Sequence, residues 1–154
     1  MNEDLFHLGI KAVIRNPKGE ILLLQINPKE NKVTADWHGK LYWDIPGGRI
    51  RRGDTVEDTL KREIAEETGI KNIKKITPFE MVLANIRVPA GNDTVGLILS
   101  SYLCEVENEQ KIKISEEHIQ AEWFSPKEAA KLLEFKYPKE FIQKISDLTF
   151  RPMI

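Results

Sequence analysis

Between Thr55 and Gly69 the sequence allows little besides a helix. Val56, Leu60 and Ile64 recur every four residues and make one apolar stripe. Asp54 or Thr55 can cap the start, with Glu57 or Asp58 three positions on. Gly69 supplies a left-handed stop. Ahead of the helix, Gly48 to Gly53 reads as a glycine-rich basic loop carrying Arg49, Arg51 and Arg52.

The acids of this helix are its informative part. Glu63, Glu66 and Glu67 stand at i, i+3 and i+4 and share one side. At about 100° per residue, Glu63 and Glu67 fall within roughly 20° of Val56 on the helix wheel. They therefore border the buried stripe, while Asp58, Lys61, Ala65 and Thr68 are expected to face outward. Three acids beside a core repel one another and lose solvation. A divalent cation relieves both, because hard cations prefer carboxylate oxygen. A solvated acidic face with an Arg62–Glu66 pair is the alternative reading.

The run resembles the signature box of the Nudix hydrolases, G-x5-E-x7-R-E-U-x-E-E-x-G-U, where U is aliphatic. Gly48, Arg62, Glu63, Ile64, Glu66, Glu67, Gly69 and Ile70 match in register. Asp54 stands where the pattern has Glu, which keeps the charge and shortens the reach by one methylene. The box covers about a seventh of the chain, and similar element order extends the likeness over most of it.

Composition sets the outer limits. The chain has 154 residues, of which 41% are hydrophobic and 31% charged, and this suits one domain over 1–154. A formal net charge of -1 implies no bulk attraction to nucleic acid or to a membrane. Cys104, the one cysteine, lies in an apolar run and is expected to be a core thiol. No window approaches 18 apolar residues and no basic leader precedes an apolar one, so a cytoplasmic protein is expected.

Along the chain, Leu8–Arg15 and Ile21–Ile26 read as strands joined through the turn signal Asn16-Pro17-Lys18-Gly19. Residues 27–40 are polar and read as a loop, either over a site or a plain surface insertion. Leu41–Gly48 reads as a short strand ended by Pro46. Its Trp43 can stack on a nucleobase or pack in the core, and strand spacing favours the core. Further strand signals fall at Ile73–Val88, interrupted near Pro78, and at Thr94–Val106. Asn85 and Arg87 share a face with Met81 and Leu83 and can meet a polar substrate group or solvent. A charged loop at Ser115–His118 leads to a strand with Trp123. Ser125, Pro126 and Glu128 then make a strong helix start, and Phe135–Leu148 reads as a last helix.

The family resemblance carries its own expectations. It implies an α/β (α+β) Nudix fold, a mixed β-sheet sandwiched between helices. It implies a pyrophosphohydrolase that cleaves the diphosphate bond of a nucleoside diphosphate linked to another moiety. Mg²⁺ or Mn²⁺ would be held by Glu63, Glu66, Glu67 and the Gly47 carbonyl. Glu63 is the first candidate for general base. Glu117 is the second, because its acidic loop is similar to the region where many members supply another glutamate. Arg62 and Asp54 would stand behind these ligands, with Arg62 orienting Glu63 or Glu66. Arg49 and Arg51 can meet phosphate or solvent. The expected partner is a small nucleotide-type molecule, with no nucleic acid and no membrane, and a homodimer is left open. A catalytically silent nucleotide-binding or regulatory module is the alternative; the retention of Glu63, Glu66 and Glu67 favours the enzyme.

Overall fold

The computed structural model describes residues 2–26, 41–107 and 111–148. The loop expected at 27–40 and most of the turn at 107–110 lie outside them.

Strand β1 (Phe6–Arg15) is central. It is followed by β2 (Ile21–Ile26), β3 (Trp43–Asp44), β4 (Gly47–Arg49) and helix α1 (Val56–Thr68). Then come β5 (Lys75–Leu83), β6 (Val88–Ala90), β7 (Asp93–Glu105) and β8 (His118–Phe124). Helices α2 (Pro126–Leu132) and α3 (Lys139–Ser146) close the described chain. The sheet runs β3-β2-β1-β7-β5, with β4 beside β1, β8 beside β2 and β6 beside β7. Pairing of β1 with β7 is parallel, from Phe6↔Gly96 to Arg15↔Glu105, and the other pairings are antiparallel. The sheet is therefore mixed, as the resemblance implied.

Alternation along β1 divides the core in two. Ile10, Ala12 and Ile14 point toward α1 and meet Leu60, Ile64 and Ile70, with Cys104 buried among them. Val13 points the other way, into a cluster that includes Leu97, Leu99 and the Tyr137, Phe141 and Ile145 side chains around α3. The sheet is thus covered by α1 on one face and by α2 and α3 on the other. No helix among the described residues is long and apolar enough to cross a membrane.

Local signals set the helix ends. Thr55 caps α1, its hydroxyl accepting from the Asp58 N–H at 3.1 Å. Gly69 ends it at φ 78, a left-handed conformation that favours glycine. Ser125 caps α2 in the same way, with Pro126 in the first turn.

Four expectations shift. The strand read over Leu41–Gly48 is two pieces: β3 pairs with β2, and beyond Pro46 the chain re-pairs with β1 as β4. Thr68, expected outside, is buried; its hydroxyl donates to the Ile64 carbonyl at 2.6 Å and accepts from the Ile70 N–H at 3.1 Å. The last helix begins at Lys139, after Pro138. Asn85 spends its side-chain amide on the carbonyls of Glu134, Phe135 and Tyr137, and Arg87 pairs with Asp4, so both side chains have structural partners.

Ile64 is fully buried between α1 and β1. Ile64→Ala is expected to cost about 2–5 kcal/mol in urea unfolding. A loss under about 1 kcal/mol would mean that this helix does not depend on its stripe.

Candidate active site

One cleft of about 300 Å³ opens where the two faces of the sheet meet the β3–β4 bend. Glu63, Glu67, Gly47, Gly48, Arg49, Glu117 and His118 line it, together with Lys11, Asp44 and Lys136 at its floor.

The acids reach the cleft because α1 packs on Leu60 and Ile64, which turns the adjacent wheel positions toward β4. Glu67 is only 5% exposed and accepts the Gly47 N–H at 3.1 Å. Gly48 leaves room for Glu63: a Cβ there would stand 2.5 Å from the Glu63 carboxyl carbon. A Cβ at Gly47 would stand 2.2 Å from the Ile10 carbonyl oxygen. The glycine pair is thus required by close approach on both sides. Glu66 is different. It lies about 60° from Glu63 and about 100° from Glu67 on the wheel. It is exposed and does not line the cleft. The expectation that all three acids border the core holds for Glu63 and Glu67 and fails for Glu66.

Behind Glu63 sits Arg62. It is ion-paired to Asp54, and its Nη2 lies 3.6 Å from Glu63 Oε1. Asp54 therefore reaches the arginine despite its missing methylene. The alternative Arg62–Glu66 pair is not formed. Nε and Nη2 of Arg62 are buried and have no hydrogen-bond partner, so the guanidinium still has donors aimed beside Glu63.

Burial pushes the Glu67 carboxyl up to about 9; Lys11 and the Gly47 N–H oppose this, and neighbouring Glu63 adds to it. At neutral pH the metal-free protein thus holds Glu67 protonated. Burial pushes His118 down to about 4, with Lys11 adding and Asp44 opposing. Its Nδ1 lies 3.2 Å from Ser115 Oγ and its Nε2 3.4 Å from Glu67 Oε2.

Glu117 is exposed at the cleft rim, one residue before β8. Arg49 is exposed at the mouth, and Arg51 lies in the turn before α1, off the cleft. Trp43 packs edge-on against Phe124 with centroids 5.1 Å apart and does not line the cleft. Strand alternation sends Tyr42 and Asp44 to the cleft and Trp43 to the other side. Lys11, Asp44 and Lys136 carried no site signal in the sequence. A lysine and an aspartate inside otherwise apolar strand runs were the available clue.

The carboxylate oxygens of Glu63 and Glu67 suit a hard divalent cation, and glycine leaves space beside them. Among the described residues, no group of three or more His, Cys, Asp or Glu side chains is gathered closely enough to form a metal cage. A complete ligand set from this helix would need the exposed Glu66 to turn inward.

A model of the NUDIX domain matches residues 5–145. The chain belongs to the Nudix family. Over 141 residues this Nudix chain is 30% identical to the asymmetrical bis(5'-nucleosyl)-tetraphosphatase of Mus musculus, covering 91% of this chain and 87% of that one. It is 33% identical over 92 residues to nucleoside triphosphatase NudI of Escherichia fergusonii, covering 57% of this chain and 64% of that one. It spans from 12% to 64% of the length of NudI and of several other curated relatives. In fold it is similar to a C. elegans Ap4A hydrolase, with a TM-score of 0.65, 21% identity, and coverage of 91% of this chain and 95% of that one.

A raised acid pKa means that the folded state holds its proton more tightly. Its stabilisation is therefore complete below the unfolded value of 4.5 and is lost as pH rises to about 9. His118 acts oppositely, and only between about 4 and 6.5. From pH 6.5 to 9 the metal-free protein should lose stability, at up to about 1.4 kcal/mol per pH unit from Glu67. Urea midpoints of Glu67→Gln should show this slope removed. An equal slope in that variant would assign it to another group.

Proposed function

We propose that this chain is a metal-dependent pyrophosphohydrolase acting on a nucleoside di- or polyphosphate. The observation that carries the reading is the seating of Glu63 and Glu67 side by side against Gly47–Gly48 inside a cleft, with Glu67 nearly buried. The names of the mouse and Escherichia relatives, both phosphatases of nucleoside polyphosphates, support it.

The chain's own residues divide the work by position. Phosphoryl transfer asks for alignment and charge neutralisation more than for covalent chemistry. A bound Mg²⁺ or Mn²⁺, held by Glu63, Glu67 and Glu66, would neutralise diphosphate charge and supply an activated water. Glu63 is the first candidate to take the proton from the attacking water, since Arg62 holds it and it lines the cleft. Arg49 at the mouth can meet a phosphate oxygen. Glu117 at the rim is the second candidate base, because it faces the same cavity from β8's side.

Chromatography of the products from a nucleotide panel, with and without Mg²⁺, tests the activity, since cleavage of the diphosphate bond leaves two phosphorylated fragments or a nucleotide and phosphate. Glu63→Gln should lower kcat by about 10²–10⁴-fold with little change in KM. A folded Glu63→Gln enzyme turning over at the parent rate would remove Glu63 from the mechanism. If Glu117→Gln alone abolishes turnover while metal still binds, the base lies in the 115–118 loop.

Metal binding has a separate readout. Glu67→Gln should weaken Mn²⁺ affinity by at least about tenfold in relaxation titrations, since it replaces an anionic ligand with a neutral one. Unchanged affinity would move the site elsewhere.

A further inference from the structure

Asp44 at the cleft floor is a saturated acceptor. Its Oδ1 accepts from the Tyr137 hydroxyl at 2.5 Å and from the Ile45 N–H at 2.8 Å. Its Oδ2 accepts from Lys136 Nζ at 2.6 Å and from Lys11 Nζ at 3.2 Å. A carboxylate offers about four lone-pair sites, and here all four are filled. Asp44 therefore has none left for a substrate.

The lysines are the reverse. Each ammonium has three donors, and each makes one hydrogen bond among the described residues, the bond to Asp44. Both are buried, at 7% and 8% exposure, and both still line the cleft. Two cations share one carboxylate there, so the trio carries an excess of positive charge. The floor is thus rich in donors, poor in acceptors and short of negative charge.

We propose that Lys11 and Lys136, fixed on Asp44, form a donor-only subsite that takes clustered acceptor oxygens of the substrate and rejects amino groups. This rests on the reading of the cleft as the nucleotide site. Two sources carry such oxygens: the oxo edge of a guanine or uracil base, and a further phosphate of a polyphosphate chain. Lysine suits either, as it meets guanine O6 and N7 or acts as a point charge on phosphate. An adenine or cytosine amino group placed against the lysines would face ammonium donors and a carboxylate that is already saturated, and buried unmatched polar groups are strongly rejected.

Calorimetric titration of the metal-free full chain tests this without turnover. The ligands are guanosine, uridine, adenosine and cytidine diphosphates and inorganic tripolyphosphate. If the floor reads a base, the guanosine and uridine forms bind about tenfold or more tighter than the others, and Lys136→Met abolishes that ratio. If it reads phosphate, the four nucleotides bind alike, tripolyphosphate competes, and Lys136→Met weakens all of them together. Tighter binding of the adenosine and cytidine forms, or affinities untouched by Lys136→Met, would overturn the proposal and leave the lysines as structural clamps. Should the single change prevent folding, the Asp44→Asn/Lys136→Met pair leaves no unbalanced carboxylate and is read against the same panel. A protein that binds with this selectivity but cleaves no diphosphate bond in the presence of Mg²⁺ would overturn the hydrolase reading alone.

Discussion

The Asp44 carboxylate joins three parts of the chain that are far apart in sequence. Lys11 of β1 is 33 residues away, and Lys136 and Tyr137 of the α2–α3 connector are 92 and 93 residues away. Such a buried charge is tolerable only because every lone pair is filled. The Lys11 and Lys136 ammoniums hold Asp44 well below the usual carboxylate range, against the opposing effect of burial. Removing one partner from a network of this kind leaves an uncompensated charge and costs about 3–5 kcal/mol. The consequence is positional. Asp44 is followed two residues later by Pro46, whose carbonyl is tied to the Ala12 N–H at 2.8 Å, and then by the Gly47–Gly48 pair against the acids. Fixing Asp44 on β1 therefore fixes the backbone on which Glu63 and Glu67 rest.

The two faces of the sheet contribute opposite charges to the cleft. From the α1 side come Glu63 and Glu67, carried by a helix whose packing is apolar. From the side of α2 and α3 comes Lys136, carried by a connector whose neighbour Tyr137 stacks on Phe141 at 4.4 Å. Lys11 lies between, on the strand common to both. The cavity is thus lined by acids carried from one face and by ammoniums carried from β1 and from the other face. That division follows from the alternation of β1, which puts Ile10 and Ala12 under α1 and Lys11 above the opposite face.

Legibility in the sequence followed the range of the interactions. Helix α1 was readable because its stripe, Thr55 cap and Gly69 stop are local, and each is decided within one or two turns. β2 was readable to the residue for the same reason. The split of Leu41–Gly48 into β3 and β4 was not, since it depends on which strand each half finds as a partner. Glu66 was misplaced because a 60° wheel offset from Glu63 looks small in sequence but separates the inside of the cleft from solvent. Asp44, Lys11 and Lys136 were hidden most completely. Each alone is a polar residue in an apolar context, and only the tertiary fold brings one carboxylate to two ammoniums.

The same burial that makes the cleft costly as bare protein makes it selective. Burial pushes the Glu67 carboxyl up, and burial pushes the Lys136 ammonium down against the opposing Asp44 carboxylate. Both are local conflicts that a packing-driven core would have replaced with apolar side chains at no loss of stability. Their survival at adjoining positions, within one cavity and on opposite cores, argues that the conflict is relieved by what binds. Under the proposed function, a cation at Glu63 and Glu67 would take the place of the proton, and acceptor oxygens at Lys11 and Lys136 would offset the excess positive charge there. Lys11 links the acids to the floor, paired with Asp44 and opposing the upward push of burial on Glu67. Under the proposed function, a nucleotide bearing phosphate toward the acids and acceptor oxygens toward the lysines would relieve both conflicts at once.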